Sequence, residues 1–172
     1  QTSSRSVQWS FGVDDKLDPS TLPTAPAPAP KPAPTEGVSP QPSPFGACQA
    51  QAQAVFEFAE LAKVVADRVM RDHEALTAAI PTGSAPAELV ASAKQNNFDW
   101  KWVVAQVRAS NKAIRVKYDR GGTVSVRCGK TRAIISGESA FFLNAAKTES
   151  ASLVQRMKPY AAKFNRQVRQ FG

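Results

Sequence analysis

A chain of 172 residues with 42% hydrophobic side chains has the length of one ordinary domain and enough apolar material for a packed core. Its formal net charge of +8 is segregated: residues 1 to 98 sum to −3, residues 99 to 132 to +7 and residues 133 to 172 to +4, so the basic half implies an acidic partner. No stretch approaches the ~20 apolar residues of a membrane span, and two cysteines with one histidine exclude the usual four-ligand zinc site, so no metal or cofactor is expected.

Residues 1–22, QTSSRSVQWSFGVDDKLDPSTL, set Trp9, Phe11, Val13 and Leu17 in polar surroundings. A short apolar motif on a tether reads as a docking segment for another protein subunit, and the alternative is that it packs back on its own domain. Residues 23–45 hold most of the chain's 13 prolines, alternating with alanine. Proline lacks the backbone donor that helices and ladders need, so this stretch is expected to be an extended polyproline II arm and linker. The chain begins at Gln1 rather than Met. That is expected of a fragment, of an exported protein, or of a chain processed inside a virion or an organellar particle.

Residues 46–172 are expected to form a single basic α+β domain. Between Ala47 and Ile80, Val55, Phe58, Ala62, Val65, Val69 and Leu76 recur at spacings of three and four or their sum, the pattern of a long amphipathic helix. Pro81, Gly83 and Pro86 end it. A short helix, APAELVASAKQNN, follows, and Asp99 is placed to cap a third, WKWVVAQVRAS, with Phe98 and Val103 forming a hydrophobic staple.

Residues 112–132, KAIRVKYDRGGTVSVRCGKTR, alternate apolar and polar positions around a glycine turn, as an antiparallel hairpin does. Ile114, Val116 and Tyr118 must share the core face with Val124, Val126 and Cys128. Pairing Tyr118 with Val124 satisfies this and leaves Arg120, Gly121 and Gly122 as the loop, with Gly122 at the left-handed position. A third strand from Arg132, RAIISG, completes a small three-stranded antiparallel sheet. C-terminal helices then run from about Ser139 to Lys147 and from about Glu149 to Phe171, the second kinked or split at Pro159.

In this register Arg115 lies opposite Arg127, with Lys117 beside them. Like charges directly across a strand pair are unfavourable, and folding alone would favour a carboxylate at one of the two positions. A polyanion over that face relieves the repulsion, most simply a phosphate backbone, with Arg120, Lys130 and Arg132 at the loop ends extending the footprint. The competing readings are a solvated basic face and a contact with an acidic protein. A winged-helix arrangement is disfavoured because Trp100, Trp102, Val103, Val104 and Val107 make the preceding helix too apolar for a recognition helix. Trp100, Trp102 and Tyr118 are expected in the core rather than as base-stacking platforms.

Cys48 and Cys128 either form a disulfide, stapling the start of the long helix to the hairpin, or remain as two buried thiols. No catalytic residue is proposed. His73, the lone histidine, sits in a helix between Asp72 and Glu74, and the spacing around Lys130 and Thr131 is not that of a phosphate-binding loop.

The expected role is therefore a non-enzymatic structural or assembly component of a larger complex, such as a virion, a ribonucleoprotein-like particle or an organellar or envelope assembly. Its arm would hold a neighbouring chain and its hairpin face would meet a polyanion or an acidic surface. The alternative is an exported periplasmic or secreted binding domain with a Cys48–Cys128 disulfide and no nucleic-acid role. The state of the two thiols discriminates between them, since disulfides persist in oxidising compartments.

Overall fold

A computed structural model describes residues 43–172, so Trp9, Phe11, Val13, Leu17 and the linker as far as residue 42 lie outside the described residues. The fold is α+β. Helix α1 (Gln49–Ala79) and helix α2 (Ala87–Ala113) precede strands β1 (Arg115–Tyr118), β2 (Val124–Cys128) and β3 (Thr131–Ile135), and helix α3 (Gly137–Phe171) completes it. The sheet is antiparallel in the order β1-β2-β3. Among the described residues the chain divides into two compact units, one of residues 43–64 and Val103–Arg156, the other of Val65–Trp102 and Met157–Gly172.

The sheet-bearing unit is built on the hairpin alternation. Val124, Val126 and Cys128 are buried on one face of β2 and share a core with Ile114, Ile135, Phe45, Ala52 and Val55 of the α1 side, and Ala140 and Leu143 of α3. Each valine, leucine or isoleucine among them contributes roughly 1.5–3 kcal/mol on burial. The expected register is the observed one, with Tyr118 opposite Val124, Val116 opposite Val126 and Arg115 opposite Arg127. Both loop glycines, Gly121 and Gly122, take positive φ, where the sequence reading required it only of Gly122. Phe45, the last residue assigned to the linker, is already part of this core. Next to it Gly46 has φ +57°, and an added Cβ there would stand 3.1 Å from the Cβ of Ala133 in β3.

Cys48 and Cys128 are joined, with a Cα–Cα distance of 5.8 Å across a sequence separation of 80. The bond ties the residue before α1 to the last residue of β2. Ser136 starts α3 by accepting a hydrogen bond from the Ser139 N–H at 3.1 Å, the ordinary N-cap arrangement.

Tyr118 departs from expectation. It is 61% exposed, not buried, because it ends a four-residue edge strand where little covers it. Its hydroxyl instead accepts a hydrogen bond from Asn144 Nδ2 on α3, at 3.0 Å.

In the helical unit the two short helices expected between residues 85 and 110 are one continuous helix, α2. Asp99 is fully buried in the helix interior and accepts a hydrogen bond from Gln95 Nε2, one turn earlier, instead of capping a new helix. Asn96 donates to Asp72 of α1, and Asn97 donates to Asn165 of α3. These polar side chains look like helix breakers in sequence, but tertiary partners satisfy them within a helix. Trp100 is buried, as expected of a core residue.

Helix α3 is likewise continuous through both the expected gap near Thr148 and Pro159. His73 is half-buried rather than on the surface. Its Nδ1 lies 2.9 Å from Gln167 Oε1, and Gln167 Nε2 donates in turn to Thr77 Oγ1.

Replacing both bridge residues, Cys48→Ala with Cys128→Ala, should lower stability by about 4 kcal/mol from the loop of that length, read as a shift of the urea midpoint. Pro159→Ala should raise stability by roughly 1–3 kcal/mol, because it restores a donor inside a continuous helix. No gain in a urea titration would show that the helix is interrupted there.

Candidate functional site

Period-two alternation that buries Val124, Val126 and Cys128 sends Arg115, Lys117, Ser125, Arg127, Arg132 and Ile134 to the opposite face. The register then lines them up in two rows across all three strands. Arg115 stands opposite Arg127, which stands opposite Arg132, and Lys117 stands opposite Ser125, which stands opposite Ile134. Adjacent strands are about 4.8 Å apart, so three guanidinium groups rise from backbone positions spanning about 10 Å.

The structure thus gathers Arg115, Lys117, Arg127 and Arg132 on one face. Arg132 is not at a loop end, as the sequence reading placed it, but within β3 as the third member of the row. Arg120 lies in the loop between β1 and β2, and Lys130 in the turn between β2 and β3, so they flank the row at opposite ends of β2. All six basic side chains are exposed.

Two residues that the sequence reading missed shape this face. Asp119 is the first. Its carboxylate pairs with Arg132 at 2.9 Å and with Lys117 at 3.8 Å, supplying part of the negative charge that the expected repulsion lacked. Its parity matches Arg115 and Lys117, so strict alternation carried one residue further would have placed it there.

Arg132 also donates from Nε to Ser125 Oγ at 3.3 Å, lying over a serine that is only 2% exposed on the outer face. Among the described residues Arg115, Arg120, Arg127 and Lys130 have no acidic partner within ion-pair distance.

The second is Lys147 of α3, which donates to the backbone carbonyl of Ile114 at 2.6 Å. Burial holds its pKa below the ordinary lysine value, and the positive charge of Arg115 lowers it further. Arg115 therefore has a cationic neighbour on α3 as well as one across the strand. Nothing in the local sequence around Lys147 announces this, because the contact depends on how α3 lies beside β1.

At ~5 Å, two unit charges in water repel by about 0.8 kcal/mol. An exposed ion pair such as those of Asp119 is worth about 0–1 kcal/mol. One carboxylate therefore does not neutralise four sheet cations, and the face keeps a net positive field suited to anionic oxygens.

Among the described residues no group of three or more His, Cys, Asp and Glu side chains is placed to hold a metal ion, and no helix is long and apolar enough to cross a membrane. No family model matches the chain, and comparison with curated proteins and with solved structures finds no match.

The pKa of Lys147 in the folded chain lies below its unfolded value, so folding disfavours its proton. Stability should then rise as pH climbs through the folded value and level off above 10.5. Lys147→Arg, whose side chain keeps its proton, should lack that rise. Urea midpoints of the two proteins between about pH 8 and pH 11 test this.

Proposed function

We propose that this chain is a non-enzymatic assembly component whose outer sheet face binds a polyanion, in the first instance a phosphate backbone. The observation that carries the reading is the row Arg115, Arg127 and Arg132, in register across three strands, with one carboxylate serving its end and none serving Arg115 or Arg127. Guanidinium groups suit this task because each presents a planar fork of donors to anionic oxygens and stays charged at any physiological pH. The face has no groove-filling helix and carries little that would read base edges, so recognition rests on charge rather than sequence. The N-terminal segment around Trp9 and Phe11 holds a neighbouring chain of the same assembly in this reading.

A second reading is favoured by the Cys48–Cys128 bond, since disulfides persist in oxidising compartments. There the chain is an exported binding domain, and the same basic face meets an acidic surface outside the reducing cell interior. Thiol alkylation of protein taken from its native source, followed by mass measurement, separates the compartments. Two unmodified cysteines fit export, and two alkylated ones fit a reducing interior.

Charge reversal tests the polyanion reading. Arg115→Glu with Arg127→Glu should weaken binding to a random-sequence DNA duplex at low salt by at least ~100-fold while leaving helical content unchanged. Equal binding by this variant and the unaltered chain would overturn it.

A further inference from the structure

The two edges of the sheet differ in what lies beside them. At β3 the segment before α1 lies against the strand, where an added Cβ on Gly46 would stand 3.1 Å from the Cβ of Ala133. At β1 the ladder leaves backbone groups turned outward. Antiparallel pairs alternate between those that exchange hydrogen bonds and those that do not. Next to the loop the Asp119 N–H donates to the Thr123 carbonyl at 2.7 Å, so these two residues face each other as a bonded pair. Alternation then makes Lys117 with Ser125 and Arg115 with Arg127 bonded pairs, and it turns the N–H and carbonyl of Val116 and Tyr118 away from β2.

Ile114 supports this assignment independently. It has the parity of Val116 and Tyr118, and its carbonyl is the one that accepts from Lys147 Nζ of α3, at 2.6 Å. Among the described residues nothing bonds the backbone of Val116 or Tyr118 from that side, and Asn144 reaches only the Tyr118 hydroxyl.

An open strand edge is a template for another extended chain. Two further features of β1 define its chemistry. On the outer face Arg115 and Lys117 are exposed, and Arg115 has no acidic partner among the described residues. On the core face Val116 is half-buried and Tyr118 is 61% exposed, with its hydroxyl held by Asn144. A strand laid antiparallel along this edge would set one row of its side chains beside Arg115 and Lys117 and the other beside Val116 and Tyr118. Carboxylates suit the first row and apolar side chains the second. A second copy of β1 would not serve, because its own Arg115 and Lys117 would stand against the same two cations.

We infer that the outer edge of β1 takes up an extended peptide of a partner protein, antiparallel to β1, in which acidic residues alternate with apolar ones. Lys147 closes the edge at Ile114, so the contact is short and spans Val116 to Tyr118. This edge is distinct from the outer face of the polyanion reading, although Arg115 and Lys117 border both.

The probe is a labelled synthetic peptide with the core Glu-Val-Glu-Val-Glu, titrated into the full-length chain at low salt and followed by fluorescence anisotropy. It should bind, and it should lose at least ~10-fold in affinity when both valine amides are N-methylated, because those donors meet Val116 and Tyr118. Methylating the central glutamate amide leaves the bonded side intact and should change affinity by less than ~2-fold. A peptide with lysine in place of glutamate should bind at least ~10-fold more weakly. On the protein, Val116→Pro removes an outward donor and leaves the ladder to β2 in place. Peptide affinity should fall at least ~10-fold while affinity for a random-sequence DNA duplex is unchanged, and circular dichroism checks that the variant folds.

No binding of the unmodified peptide, or equal binding of the valine-methylated one, would overturn the edge site and leave the polyanion reading standing. Equal binding of the lysine peptide would overturn the acidic occupant. Peptide binding as expected, with no binding of the duplex, would overturn the polyanion reading alone.

Discussion

The register of β2 is the constraint on which the sheet-bearing unit depends. Side chains on a strand alternate faces, so placing Val124, Val126 and Cys128 in the core fixes the orientation of every neighbour on both flanking strands. A slip of one residue would carry Arg127 inward and Val126 out to water, at a cost no surface interaction in this fold could offset. The bond from Cys128 to Cys48 holds that choice covalently and fixes the start of α1 against the same strand. The basic row follows as a consequence, because the residues that must face away from the core are largely arginine and lysine.

A row of three arginines is a poor arrangement for folding alone. Each neighbouring pair repels, and of the three arginines Asp119 answers only Arg132, besides pairing with Lys117 of β1. Lys147 adds a further positive charge near Arg115 from α3. The apolar core beneath the sheet contributes far more than these repulsions cost, so the fold tolerates the face. Its persistence makes physical sense if an anion completes it.

Much of the hairpin was legible in the sequence. Alternation from Ile114 to Cys128, together with the paired glycines, determined the partner of every residue in β1, and the amphipathic spacing of α1 located that helix to within a residue or two at each end. What was misread has a common physical origin. Asn96, Asn97 and Asp99 have the local chemistry of a helix break, but within α2 they bond to Asp72, Asn165 and Gln95. Likewise, Pro159 looks like a split in α3, yet the helix continues through it. Local propensity could not anticipate Asp72 and Asn165, which lie 24 and 68 residues from their partners. Tyr118 shows the converse. Its parity is that of the core face, but burial also needs something to cover it, and the end of an edge strand lacks that cover.

If the arginine row faces a polyanion, binding releases counterions and must weaken steeply with salt. Affinity of the full-length chain for a random-sequence duplex, followed across a salt series, should fall linearly on logarithmic axes with a slope between about −3.5 and −5.5, as expected when roughly four to six cations displace counterions. An absence of binding at low salt, or an affinity indifferent to salt, would contradict the account and leave the row facing water or protein.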